Sequence, residues 1–326
     1  MPTISPPSAV KSRKTFVNDN AAELADVIVG GPSVSAPALE PVHAPHLVRT
    51  RRDTIRGIDW INVGGVGLIH VGALFALSPA FFSWTAVGVF FFLWWVIGSL
   101  GICMGYHRLL THRSFKTPKV VEYLLTICGA LAWEGSPIQW IGQHRHHHAE
   151  SDQPNDPHSP RHGFDWAHIF WVFNRHALEH DYKQFAKDML RDKGHVWIHR
   201  LHAWPNILLG VALFWSAEWM GFNGWSWVVW GIFVRGVVVF HATWMVNSIG
   251  HTWGYRNFET TDDSRNNALV AIVAFGEGWH NNHHACQRSA KHGQKWWEID
   301  TTWMMIWLMS RVGLAWDIQG FKTPRR

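Results

Sequence analysis

From Phe81 to Met104 the chain reads FFSWTAVGVFFFLWWVIGSLGICM, without one charged residue. A helix needs about 20 such residues to cross the hydrocarbon of a bilayer. In that medium every backbone N–H and C=O must find its partner within the segment, and a helix supplies those partners. This single run therefore commits the chain to an all-α integral membrane fold. Three other apolar runs extend the reading. Ile61–Leu77 stops at Ser78-Pro79, Ile207–Met220 follows Pro205 and carries Glu218, and Trp225–Val246 contains Arg235 and His241. Together they predict four transmembrane helices in two hairpins, at about 58–78, 81–105, 204–221 and 225–247. Val120–Trp133 is also apolar but short for a crossing, and is expected to lie on or dip into the membrane surface.

Loop charges orient the spans. Arg49, Arg51, Arg52 and Arg56 precede the first run, and both hairpin turns lack Lys and Arg. This places the N-terminus in the cytoplasm, together with a helical cap made of 106–203 and 248–318. The expectation is a multi-pass protein of the inner (cytoplasmic) membrane. Its 23 tryptophans suit rings anchored where lipid meets water. Residues 1–48 are polar and without pattern, and are predicted to be a disordered tail; 319–326 form a second tail. MPTISPPSAVKSRK has no apolar core and does not read as a secretory signal. Net charge is +5, yet no basic stripe alternates with stacking aromatics, which argues against a nucleic-acid partner. Cys103, Cys128 and Cys286 form no CxxC pair, which points to a reducing compartment.

The chemistry concentrates in histidines. His144, His147 and His148 in HRHHH share the spacing i, i+3, i+4 with His280, His283 and His284 in HNNHH. That spacing puts three imidazoles on one helix face, with His146 pointing elsewhere. His107 and His112 in HRLLTH stand five apart, and converge only if the helix ends or bends between them. Eight histidines on one membrane face are enough for more than one metal ion. Neutral imidazole suits iron, zinc, copper or nickel. A structural zinc site commonly draws on thiolates, and this chain has no thiolate pair. The surplus of nitrogen donors beside membrane helices favours two redox metals that handle dioxygen.

HRLLTH, HRHHH and HNNHH resemble the three histidine boxes of the membrane fatty-acid desaturases, in the delta-9 (stearoyl-CoA desaturase-like) branch and its bacterial relatives. GYHRLLTHRSFKTP, SDQPNDPHSPRHGF, TWMVNSIGH and GEGWHNNHHA carry the likeness, which spans about Ile58 to Leu314. The resemblance implies a desaturase domain over 49–318 whose cap carries two iron ions. One iron would take His107, His112, His144, His148 and His283. The other would take His147, His251, His280 and His284, with Asn247 of the NSxxH motif holding a water. The residues alone do not single out His251. Asp156 and Glu277 are the best candidates, among several nearby carboxylates, to accept the second imidazole N–H.

The resemblance further implies removal of one hydrogen from each of two adjacent methylenes, giving a cis double bond with dioxygen and two electrons. A bent apolar tunnel would fix the position, with Trp140, Thr243 and Trp244 near the bend and Trp95 and Ser99 as the floor between the first two spans. In animal acyl-CoA relatives an Arg-Asp pair that helps hold coenzyme A precedes the second box. Here Gly142-Gln143 stand there, so the substrate is either a fatty acyl-CoA or an acyl chain on a lipid. Arg161 and His162 remain as headgroup contacts. Glu134 stands where relatives usually carry Gln. No haem, flavin or iron–sulfur motif occurs, so electrons are expected from a ferredoxin, or from a b-type cytochrome with its reductase. Two rival readings share these residues. A di-iron hydroxylase of alkanes, sterols or carotenoids would use the same ligands, and a metal transporter would need ionisable groups along a midplane path.

Overall fold

The computed structural model describes residues 55–176 and 182–322. The expected N-terminal tail, the arginines at 49, 51 and 52, and residues 323–326 lie outside the described residues. Helix α1 (Trp60–Leu77) starts where Asp59 Oδ1 accepts from the N–H groups of Ile61 and Asn62, at 3.1 Å each. Ser83 caps α2 (Trp84–Thr111) by accepting from Ala86 N at 3.1 Å. Both caps satisfy amide groups that the first helical turn leaves unpaired. α3 (Lys119–Ala130) follows Pro118, and α4 (Pro137–Ala149) opens with Ser136 as cap and proline in its first turn. Then come α5 (Trp204–Trp219), α6 (Gly224–His251), the short α7 (His280–Ala285) and α8 (Thr301–Arg311). A two-stranded antiparallel ribbon, β1 (Ile55–Ile58) with β2 (Asn174–His176), ties the approach to α1 to the segment between α4 and α5.

Among the described residues, three helices, not four, are long and apolar enough to cross a membrane: α1, α2 and α6. The four-span, two-hairpin arrangement expected from the sequence is corrected at α5. That helix has 16 residues, about 24 Å at 1.5 Å per residue, against a hydrocarbon core of about 30 Å. It ends early because Met220 leaves the helix and Gly221 turns with φ of 78°, while Glu218 Oε1 accepts from Gly224 N at 2.8 Å to start α6. Conversely, α2 and α6 run on beyond their apolar stretches, to Thr111 and His251. Their last turns are buried in protein, so the helix continues where the hydrophobic pattern stops.

From Trp95 to Thr111, α2 is wound in the wide π form, in which residue i+5 bonds back to residue i. His112 N donates to His107 O at 3.1 Å. The five-residue spacing that puts the pair on different faces of an α-helix thus brings them together, and the helix ends at Thr111, between the two. α3 packs hard against this segment. A Cβ added at Gly101 would lie 2.5 Å from the Cys128 carbonyl carbon, and one at Gly105 would lie 2.9 Å from Leu125 O. Small residues four apart let the two backbones approach this closely. Gly101→Ala is therefore expected to cost about 1–3 kcal/mol by overpacking, read as a lower thermal midpoint of the detergent-purified protein.

Candidate metal centre

The cytoplasm-directed ends predicted for the spans carry the histidines, and the fold gathers nine of them into two groups. α2 supplies His107 and the residue after it supplies His112; α4 supplies His144, His147 and His148; α6 ends on His251; α7 supplies His280, His283 and His284. His107, His112, His144, His148 and His283 form one group, and His147, His251, His280 and His284 the other. Within each, one nitrogen from every ring lies within 4.8 Å of the rest. The repeated spacing on α4 and α7 serves both groups at once.

Four carboxylates set the rings. His107 Nδ1 pairs with Glu277 Oε2 at 2.8 Å and His147 Nδ1 with Asp156 Oδ2 at 2.9 Å. His251 Nδ1 pairs with Asp152 Oδ2 at 2.8 Å and His284 Nδ1 with Asp262 Oδ2 at 2.6 Å. A ring that gives its Nδ1 proton to a carboxylate turns a bare Nε2 lone pair inward. Those lone pairs meet other nitrogens at close range. His107 Nε2 is 3.1 Å from His283 Nε2, and His251 Nε2 is 3.0 Å from His280 Nε2. His112 Nε2 and His284 Nε2 are buried without a hydrogen-bond partner. Facing lone pairs repel unless a proton or a cation lies between them. The donor set fits two metal ions, which take neutral imidazole and gain from each Nδ1–H that a carboxylate holds.

The electrostatics agree with that fit. Burial, reinforced by neighbouring rings, holds His112, His144, His148, His280 and His283 far below the usual histidine value, so they stay neutral. Burial lowers His284 to about 4 despite Asp262. His147 goes the other way, since Asp156 outweighs the cost of burial. The carboxylates Asp152, Asp156 and Asp262 are buried too, yet the imidazoles beside them keep all three below the normal range. Glu277 is lowered by Arg108 first and then by His107, against its own burial. Arg108 is fully buried and joins Glu277 and Asp300, each at 2.9 Å.

A cavity of ≈ 830 Å³ adjoins the first group. Trp140, Thr243, Trp244, Asn247 and His144 line it, with the Trp140 ring 4.9 Å from that of His144. Glu134 faces it as well, accepting from Thr243 Oγ1 at 2.7 Å and from Trp140 Nε1 at 3.0 Å. The carboxylate thus clamps the two side chains across the wall, which gives Glu134 a physical role that the sequence did not suggest. Burial pushes its pKa up to about 7. Other expected residues stand elsewhere. Trp95 and Ser99 do not line the cavity; Ser99 Oγ lies 3.4 Å from Thr302 Oγ1 at the α2–α8 contact. Arg161 holds Asp263 Oδ2 and the Asp152 carbonyl, at 2.8 Å each.

Sequence reasoning passed over His158, His292 and Arg108. The His158 ring lies tilted against that of His147, centroids 4.4 Å apart, and His292 Nδ1 lies 3.0 Å from Glu277 Oε2. Each is a lone residue without repeated spacing, and only the fold brings it to the centre. Asp152 and Asp262 stood among the nearby carboxylates, but nothing local distinguishes them from Asp263 or Asp300.

Over residues 82–316 the chain matches the family described as fatty acid desaturase. It is 47% identical to the sn-1 stearoyl-lipid 9-desaturase of Anabaena variabilis, across 80% of this chain and 94% of the relative. The sn-2 palmitoyl-lipid 9-desaturase of Nostoc sp. (strain 36) is 46% identical across 79% of this chain and 89% of its own length. The acyl-CoA C20 Delta5-desaturase of Anemone leveillei is 42% identical across 80% and 82%.

Two outcomes follow from this geometry. Asp152→Ala frees the His251 ring and is expected to weaken metal affinity by about 10–100-fold, measured by chelator competition with metal analysis. Glu134 carries a carboxyl whose pKa rises on folding, so the fold favours its protonated form. Its penalty grows as pH climbs from about 4.5 in the unfolded chain to about 7, then levels off. The thermal midpoint of Glu134→Gln should therefore gain on that of the parent between pH 5 and 7 and hold a constant lead above.

Proposed function

The chain belongs to the fatty acid desaturase family, as a membrane enzyme of its delta-9 branch, and on that premise we propose that it desaturates acyl chains already esterified to membrane lipid. The observation that carries the lipid assignment is the packing of Gly142. A Cβ there would run into the Tyr182 carbonyl oxygen, so the position has no room for the arginine that animal acyl-CoA relatives place before the second box. Gln143 beside it is neutral and lines the cavity. The Anabaena and Nostoc relatives, by their names, act on stearoyl-lipid and palmitoyl-lipid.

His107, His112, His144, His148 and His283 would hold one iron, and His147, His251, His280 and His284 the other. Asn247, on the cavity wall beside them, would hold a water. When bound, the two irons supply the oxidising power that, with dioxygen and two electrons, removes two hydrogens from adjacent methylenes. The protein's own residues do the rest. Glu277, Asp156, Asp152 and Asp262 accept from the Nδ1–H of His107, His147, His251 and His284, so that those four rings keep Nε2 available to metal. Trp140 and Thr243, clamped by Glu134, fix where the chain bends and so which carbons lie against His144. The ninth and tenth carbons are the expected pair. β1 pairs with β2, which keeps the start of α1 on the side of the histidines. With the arginines before α1, that side is the cytoplasmic face of the inner membrane. A ferredoxin or a separate b-type cytochrome would dock there to deliver electrons.

Expression in a desaturase-deficient bacterium, with gas chromatography of the separated lipid classes, tests the proposal. New cis-9 chains are expected in intact membrane lipid, with His283→Ala falling to background. Hydroxylated chains without new double bonds would point to an oxygenase instead.

A further inference from the structure

We infer that the slot between α1 and α5 is a lateral portal, through which an acyl chain slides from the bilayer into the cavity; this rests on the acyl-lipid reading above. Several cavity-lining residues are also open to the surroundings. Leu68 on α1 is 64% exposed, and Val211 and Trp215 on α5 are 53% and 66% exposed. The same side chains thus face both the lipid and the cavity that ends at His144 and Asn247. All three are apolar, so what passes between them is hydrocarbon.

The two other edges are fastened. α1 is joined to α6 by His70 Nε2, 3.2 Å from His241 Nε2, and Gly72 packs against the Phe233 ring. That histidine pair continues through His168, whose Nε2 lies 2.9 Å from His241 Nδ1. α5 is joined to α6 by Arg235 Nη2, which donates to Asn206 Oδ1 at 3.2 Å. Among the described residues, no hydrogen bond or ring contact links α1 to α5. Both helices thin toward the slot. A Cβ on Gly65 would meet nothing within 4 Å, and one on Gly210 only Ile232 Cγ1 at 3.9 Å, although both glycines line the cavity. A Cβ at either glycine meets no backbone, so side chains there can be enlarged.

The test uses the full-length protein in phosphatidylglycerol vesicles, doped with a phosphatidylglycerol that carries a photoactivatable diazirine in mid-chain. Cross-linked peptides report where the chain sits and need no turnover. Labels are expected on residues 61–69 and 207–215. In Gly65→Phe and Gly210→Phe, which fill the slot, they should fall by about tenfold or more. Labels confined to other segments of the parent protein, or undiminished in both variants that fold, overturn the portal. In parallel, the parent enzyme with its electron donor is offered a stearoyl phosphatidylglycerol or stearoyl-CoA. Lipid turnover with labels elsewhere overturns the portal alone, whereas turnover of the coenzyme A ester only overturns the acyl-lipid reading beneath it.

Discussion

Proton placement on buried histidines governs the rest of the structure. Nine imidazoles taken out of water and packed together would each seek a hydrogen-bond partner and would find mostly one another. Four buried carboxylates prevent that by accepting the Nδ1 protons of His107, His147, His251 and His284. The lone pairs left on Nε2 then have one common direction, inward. Carboxylates buried in this way are costly unless countered. Arg108 counters Glu277 and Asp300 at the root of the first group. Asp152 and Asp262 are satisfied by backbone and hydroxyl donors as well as by their histidines, Asp263 N and Ser159 Oγ among them.

Geometry upstream of the site serves this arrangement. The π winding of α2 is what lets His107 and His112 share a face, and the close seat of α3 on Gly101 and Gly105 supports that winding from outside. Pairing of β1 with β2 keeps the base of α1 beside the cap. The cavity then runs from α1, α5 and α6 to His144, with Glu134 bridging Thr243 and Trp140 at its inner end. A neutral carboxyl there acts as a hydrogen-bonding strut, and an ionised one adds charge to an apolar wall. Burial places the midpoint between the two near neutrality.

What could be read from the chain was what depends on near neighbours. The charge-free run in α2 required a crossing helix, and HRHHH and HNNHH put three rings on one face whatever the rest of the fold did. The predicted fourth span failed because hydropathy records how apolar α5 is and not where its helix stops, which Gly221 and the Glu218 contact to Gly224 decide. α2 and α6 continue past their apolar letters, since burial in protein sustains a helix after those letters run out.

Sequence by itself determined the membrane class, the family and the local faces on which the imidazoles stand, because periodicity and spacing act over one or two helical turns. Only tertiary structure decided that His251 and His292 join the centre, that Asp152 and Asp262 rather than Asp263 or Asp300 accept from the imidazole N–H groups, and that a cavity lies along α1, α5 and α6. Those choices bring together residues about a hundred or more positions apart in several cases, such as Asp152 with His251, and no local pattern encodes a distance across the fold.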